Sequence, residues 1–253
     1  MQERKRIGLL VPSNNSTVEP DFANGVPEGV SVHAHHLWSD VDPRRPARSE
    51  KLGDEFLQAA RFLTPMKLGV LALAQGNSAS EDQFARIFEI PAVASSPSVV
   101  QALRHYDVRR VAVFTPFDEY VNSRLWEYFV NFQFEVVGSF GDPTMTRNPQ
   151  QDTNLQEPGE IFEFVVSKCP GNADALVLSG SAWRAMEAVS EIERATGKLV
   201  ITTNQATVWR AVRKLAVPYG RSGFGRLIAE MPPIEDDPLL QNNPAQGQLS
   251  TVK

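Results

Sequence analysis

The pattern that most constrains this chain is an alternation of short apolar runs with segments of helical period. The runs IGLLVP (7–12), VSVHAHHL (30–37), LGVLALA (68–74), PAVASS (91–96), VRRVAVFTP (108–116), FEVVGSF (134–140), ADALVLSG (173–180) and KLVITTN (198–204) have strand length. Between them Leu52, Phe56, Ala59, Ala60 and Leu63 share one helical face, as do Val99, Val100 and Leu103. Met186, Val189 and Ile192 form a third such face, and Val208, Ala211, Val212 and Leu215 a fourth. Parallel strands need a crossover, and helical crossovers cover the sheet, so near-continuous apolar strands of this kind belong to sheets buried on both faces. The fold class is therefore α/β: two pseudo-symmetric Rossmann-like lobes with parallel sheets and an active cleft between them. The strands fall into two similar series that break near residues 96–98 and 204–206. The expected division is 1–96 plus 205–230 for an N-terminal lobe and 97–204 for a C-terminal lobe. Residues 231–253, rich in Pro, Asn and Gln, read as an extended tail or a subunit-contact arm.

A chain of 253 residues has ample material for such a core. Its net charge of −5 gives no basic footprint for nucleic acid, and its arginines do not cluster with aromatics. No apolar run approaches the roughly 20 residues of a membrane helix. The opening MQERKRIGLLVP places basic residues before an apolar stretch, but Pro12 ends that stretch below the length of a secretory signal core, so it reads as a first strand. The single cysteine, Cys169, excludes an intramolecular disulfide framework and any multi-thiolate metal site. Cytoplasm is the default compartment.

Several expected strands end in small polar residues at a helix start. PSNNSTVEPDF follows the first, QGNSASEDQF follows LGVLALA, TPFDEYVN follows VRRVAVF, SGSAWR follows ADALVL and TTNQATVW follows KLVI. Each offers backbone N–H groups and hydroxyl or amide donors, and five such ends converging on one cleft suit a carboxylate. Taken singly, the same residues serve as helix caps. No GxGxxG or Walker pattern is present to support a nucleotide phosphate.

At these residues the chain resembles a family. GLLVPSNNSTVEPDF is similar to the first-strand motif of maleate isomerases and arylmalonate decarboxylase-like proteins, members of the Asp/Glu racemase superfamily. TPFDEYVN resembles their Thr-Pro-Tyr turn, LVLSGSAWR their Leu-Ser-Cys-Thr-Asn-Leu-Arg turn, and VITTNQATVW a Ser-Asn-Gln-Ala-Thr-Leu-Trp segment of the decarboxylase-like branch. The series runs in the same order over roughly residues 5–220. The resemblance implies two lobes holding a substrate carboxylate between strand-end donors, with cofactor-free chemistry run by cysteines at one or both strand ends. It implies a small-molecule carboxylate or imide/amide as partner; the net charge and the lack of a long apolar run are what leave nucleic acid and membrane unexpected. A homo-oligomer is expected, its symmetry unreadable from the sequence.

The chain departs from the family where the thiols belong. The first family cysteine falls on Gln75, and the second on Gly180 or, in the maleate isomerase register, on Ser181; the tyrosine of the Thr-Pro-Tyr turn is Phe117. Cys169 closes the helix EIFEFVVSKC about ten residues upstream, where a helix C-terminus disfavours a thiolate. Two-base racemisation and thiolate-addition isomerisation are thus disfavoured. Gln75 is expected to donate to a carboxylate or oxyanion, or else to cap the next helix. Asn15 matches the family's substrate-binding asparagine, and Asn204 and Arg184 fall on motif positions. Ser16, Asn77, Thr115, Phe117 and Gly180, at the same strand ends, complete the expected substrate-binding set.

For acid–base chemistry the candidates are His33, His35 and His36, three of the four histidines, with His35 placed in the catalytic set beside Gln75 and Ser181. The same histidines read equally as hydrogen-bonded structural groups, and no third metal ligand is identifiable beside them. Ser181 acts as a nucleophile only with a base near it. Glu19, Glu81 and Asp82 sit in first helical turns, where acidic residues interact favourably with the positive end of the helix dipole.

Three functions follow for testing. The first is a cofactor-independent enzyme on a small carboxylate or cyclic imide/amide, working by decarboxylation or hydrolysis through hydrogen-bond stabilisation. The second is an isomerase-like enzyme or a non-catalytic carboxylate binder on the same framework. The third, a sugar- or nucleotide-binding two-lobe protein, has only the architecture behind it.

Overall fold

The computed structural model describes residues 4–37, 54–75, 78–142, 144 and 153–230. Two four-stranded parallel sheets organise it. The first has the order β2-β1-β3-β4, with β1 Lys5–Pro12, β2 Val30–Leu37, β3 Val70–Leu73 and β4 Ala92–Ala94. The second repeats that order as β6-β5-β7-β8, with β5 Arg110–Thr115, β6 Glu135–Gly141, β7 Ala175–Leu178 and β8 Leu199–Thr202. The helices are α1 Val18–Gly25, α2 Asp54–Leu63, α3 Ser78–Phe88, α4 Ser95–His105, α5 Glu119–Asn131, α6 Pro158–Lys168, α7 Ala185–Thr196, α8 Thr203–Lys214 and the short α9 Arg226–Ala229. The sequence-expected tail, 231–253, lies outside the described residues, as do Leu52 and Asn77.

Strand alternation divides the core. In β3, Val70 and Ala72 join a central cluster while Leu71 and Leu73 turn to α2 and α3. In β7, Ala175 and Val177 face the same central cluster while Leu176 and Leu178 pack on α6 and α7. The central cluster holds Val99, Val100 and Leu103 of α4 and Val208, Trp209, Ala211 and Val212 of α8. The two sheets therefore share one apolar interior, with further apolar layers outside each. The four helical faces read from periodicity are buried wherever they are described.

Two strands stop earlier than the apolar pattern suggests. PAVASS ends at Ala94 because Ser95 opens α4, with Pro97 in the first turn, where its missing N–H costs no helical bond. KLVITTN ends at Thr202 because Thr202 and Gln205 form a capping box: the Thr202 side chain accepts from the Gln205 N–H at 3.1 Å, and the Gln205 side chain accepts from the Thr202 N–H at 3.2 Å. The cap brings Thr203 and Asn204 into the first turn of α8.

One buried ion pair ties α3 to α8. Arg210 grips Glu81 in a two-pronged contact at 2.6 and 2.7 Å, and Glu81 also accepts from the Ala94 N–H at 3.0 Å. Glu81, read as a first-turn charge, is thus part of the interior scaffold.

Candidate active site

In each sheet the chain adds its second strand on one side of the first and its third on the other. The order therefore switches between β1 and β3, and between β5 and β7, and the crevice of each lobe opens beyond the C-terminal ends of those pairs. The loops there are SNNST after β1, Gln75 after β3, TPF after β5 and SGS after β7. They meet. A cavity of about 190 Å³ is lined by Gln75, Ser95, Ser96, Ser179, Gly180, Ser181 and Thr203 together with Ala74, Val99, Phe117, Leu125, Tyr128 and Phe129. Its lining is thus part neutral polar groups and part apolar side chains. Two helices, α4 and α8, begin at this cavity, so their positive N-terminal ends face it.

The polar part of the lining is built by hydrogen bonds that cross between lobes. Asn15 is 2% exposed; its Nδ2 donates to Ser181 Oγ at 3.0 Å, while its Oδ1 accepts from the N–H groups of Thr17 and Val18 and so opens α1. Thr17 Oγ1 donates to the Ala182 carbonyl at 2.9 Å. Asn204 Nδ2 donates to both the Ser181 carbonyl, at 2.9 Å, and Asp21 Oδ2, at 2.6 Å. Asn154 reaches back from the second lobe: its Oδ1 accepts from the Ser16 N–H at 3.0 Å and its Nδ2 donates to the Asn14 carbonyl at 2.9 Å.

The turn after β7 depends on a glycine. Gly180 has φ +155, and a Cβ there would meet Pro116 at 3.2 Å. Its N–H donates to Thr203 Oγ1 at 3.1 Å, fixing the turn against the start of α8.

Several expected residues take up other positions. His35 is not brought to this group: β2 is the outer strand of its sheet, with β1 between it and β3, and the His35 ring stacks on Phe62 at 5.1 Å. His33 pairs with Ser31 at 3.0 Å and His36 with Glu19 at 3.0 Å. Ser16 points its side chain to solvent and offers its N–H to Asn154. Thr115 is fully buried, its hydroxyl donating to Asn122 and accepting from the Phe117 N–H, so it holds the turn instead of facing the cavity. Arg184 is bound to Glu187 and Glu157 at 2.9 and 3.0 Å. Gln75, Phe117, Gly180 and Ser181 line the cavity as expected, and Asn15 and Asn204 hold Ser181 from behind.

Cys169 caps the C-terminus of α6, and burial pushes its thiol pKa up, against a smaller opposing pull from Lys198. Among the described residues no three His, Cys, Asp or Glu side chains gather as a metal-ligand group, and no helix is long and apolar enough to cross a membrane.

The reading from sequence missed Asp21. It is 5% exposed in α1, and burial, the dominant cause, lifts its carboxyl pKa to about 7 despite the Asn204 hydrogen bond that pulls it down. A signal was present: Val18, Asp21, Phe22 and Gly25 share one helical face, so the carboxyl had to turn inward with them. Ser95, Ser96, Ser179 and Thr203, also missed as site residues, sat inside runs assigned to strands or their ends.

Two repeated parallel sheets around one donor-lined cavity form a two-lobe α/β architecture, the fold shared with maleate isomerase and arylmalonate decarboxylase structures. The arylmalonate decarboxylase family model matches residues 68–228, more than half the chain, and the protein belongs to that family. It is 28% identical to an arylmalonate decarboxylase of Bordetella bronchiseptica, over 87% of this chain and 92% of the relative. It is 21% identical to a maleate isomerase of Geobacillus stearothermophilus, over 90% of this chain and 99% of the relative. The crystal structure of the maleate isomerase Iso from Pseudomonas putida S16 superposes with a TM-score of 0.77 at 20% identity, covering 90% of this chain and 99% of that one.

Proposed function

We propose that the protein is a cofactor-independent decarboxylase of a small malonate-type carboxylate that carries an apolar substituent. The observation that carries this reading is the mixed lining of the cavity, which combines neutral donors and the starts of two helices with aliphatic and aromatic side chains. In this reading the substrate places one carboxylate on Gln75, Ser95, Ser96 and the 179–181 turn. Its second carboxylate lies toward the apolar part of the lining, where it is poorly solvated. The bond from Cα to that carboxylate breaks, CO₂ leaves, and the electron pair stays on the remaining fragment as an enediolate. The donors stabilise the charge that develops there, and solvent returns the proton to Cα.

The chain's own residues favour this chemistry over its neighbours. Thiolate addition needs a cysteine at a strand end, where this protein carries Gln75, Gly180 and Ser181. Hydrolysis needs a base for water, and His33, His35 and His36 are each engaged elsewhere. A maleate isomerase-like activity is favoured by the identity with maleate isomerases, and so belongs in the same screen. Methylmalonate, phenylmalonate, maleate, maleamate and cyclic imides are assayed together, with CO₂ release from phenylmalonate the expected positive. Conversion of maleate to fumarate without CO₂ release from any malonate would replace this reading with isomerisation. Binding of malonates without turnover of anything in the screen would leave a carboxylate-binding protein.

A further inference from the structure

Asp21 is a buried carboxyl that the decarboxylation above does not use. It lies two hydrogen bonds from the cavity lining, with Asn204 between it and Ser181. Its Oδ2 accepts from Asn204 Nδ2 at 2.6 Å, and the same nitrogen donates to the Ser181 carbonyl at 2.9 Å. Its backbone N–H is bonded to the Thr17 carbonyl at 3.1 Å, so α1 cannot move the carboxyl without moving Thr17, which holds the Ala182 carbonyl. An asparagine amide has two faces, and only one of them donates. The carboxyl of Asp21 and the carbonyl of Ser181 are both acceptors, so together they decide which face Asn204 presents.

We infer that Asp21 is a positioning residue of this site: its carboxyl orients the Asn204 amide and, through it, the carbonyl of Ser181 in the turn that borders the substrate. The inference rests on placing the substrate at the 180–181 turn. It has a consequence that a purely structural contact lacks. Burial, opposed by Asn204, raises the carboxyl to about 7, so the group changes charge near neutral pH. The charged groups that face it are Glu187, which raises it further, and Arg184, which lowers it, both at the start of α7. Glu19, on α1 itself, is engaged with His36 from β2, and α8 faces Asp21 with the neutral Asn204. As a neutral acid Asp21 supports an anion in the cavity. As a carboxylate it adds a like charge behind Ser181 and repels that anion.

The test compares malonate binding to the wild type and to Asp21→Asn by titration calorimetry from pH 5 to 9. Asn imitates the neutral acid and cannot ionise. Malonate's own protonation cancels in the ratio of the two dissociation constants. That ratio is expected to lie near one at pH 6 and to rise to about fivefold or more at pH 8, the wild type binding more weakly as a like charge appears. A ratio constant across the range overturns the inference, whatever its value. Glu187→Gln, outside the site, covers the case of a misfolded Asp21→Asn protein: it removes one charge that raises Asp21, so the wild-type inflection should move to lower pH, and an unmoved inflection also overturns the inference. A pH-dependent ratio without CO₂ release from phenylmalonate leaves Asp21 in place and rejects the decarboxylase reading. No malonate binding by either protein at any pH removes the site and both readings with it.

Discussion

The two lobes repeat one strand order, yet the ends of their strands are built differently. In the first lobe the loop after β1 works by reaching out: Asn15 and Thr17 spend their side chains on Ser181 and Ala182 of the other lobe. In the second lobe the turns are locked from within, Thr115 by Asn122 and Phe117, and Gly180 by Thr203 and a backbone angle that favours glycine. A repeated fold thus supplies two similar crevices, and the sequence makes one a rigid platform braced from within and the other a grip on its partner lobe. The same contrast appears in the ion pairs. Glu81–Arg210 is buried beside the first sheet, whereas Arg110–Asp174 lies at the exposed start of β5.

The largest effect should come from the buried pair. Glu81→Ala leaves Arg210 charged, 4% exposed and without its partner, and is expected to cost about 3–5 kcal/mol in urea unfolding. Asp174→Ala is expected to change the urea midpoint far less, since an exposed pair is well screened. Equal losses in the two variants would erase the contrast.

Next in size is the rigid platform. Gly180→Ala forces a Cβ against Pro116 at a positive φ and should lower stability by about 1–3 kcal/mol, read from thermal unfolding. The cysteine of the related enzymes is therefore best reintroduced at Ser181, whose position lacks this constraint. Ser181→Cys should fold like the wild type and Gly180→Cys should not.

A third effect is a slope. Asp21 has a folded pKa of about 7 against an ordinary value of 3.8, so the folded state holds its proton more tightly. Its contribution is fully present below about pH 4 and is lost as the pH rises through 7. The stability of Asp21→Asn relative to wild type should therefore climb between pH 4 and 7 and then level off. A difference independent of pH would show that Asp21 does not titrate there.

The smallest effect on stability falls on Gln75, just after β3 in the first lobe. Gln75→Ala should leave the unfolding midpoint within about 0.5 kcal/mol of wild type, as for most positions outside the core. Turnover of phenylmalonate should nevertheless fall about 10²-fold, the loss expected for one donor to a developing oxyanion. A variant that loses stability and keeps its rate would make Gln75 a cap for α3 and nothing more.

Much of this architecture was legible in the chain. Every expected strand is present, because apolar runs of strand length flanked by small polar residues have few other uses. Their ends were less legible where a helix cap competes with the strand, as at Ser95 and Thr202. Gln75, Ser181 and Asn15 were legible as strand-end residues, since strand ends of parallel sheets gather on one side. That His35 lies on an outer strand was not legible, because lateral strand order cannot be read from periodicity: nothing in VSVHAHHL says that its strand is outermost. The apolar part of the cavity lining was illegible for a similar reason. Val99 and Phe129 belong to α4 and α5, and only the packing of two sheets against a shared interior brings those helices together.

That shared interior has a consequence for how the protein comes apart. Separate lobes joined by a hinge would melt in two steps, each with its own calorimetric peak. Here Ile7, Leu9 and Val70 of one sheet and Val113, Val177 and Ile201 of the other belong to one continuous cluster, threaded by α4 and α8. Neither half can lose its inner layer without exposing the other's, so heating should give a single endotherm whose van't Hoff and calorimetric enthalpies agree.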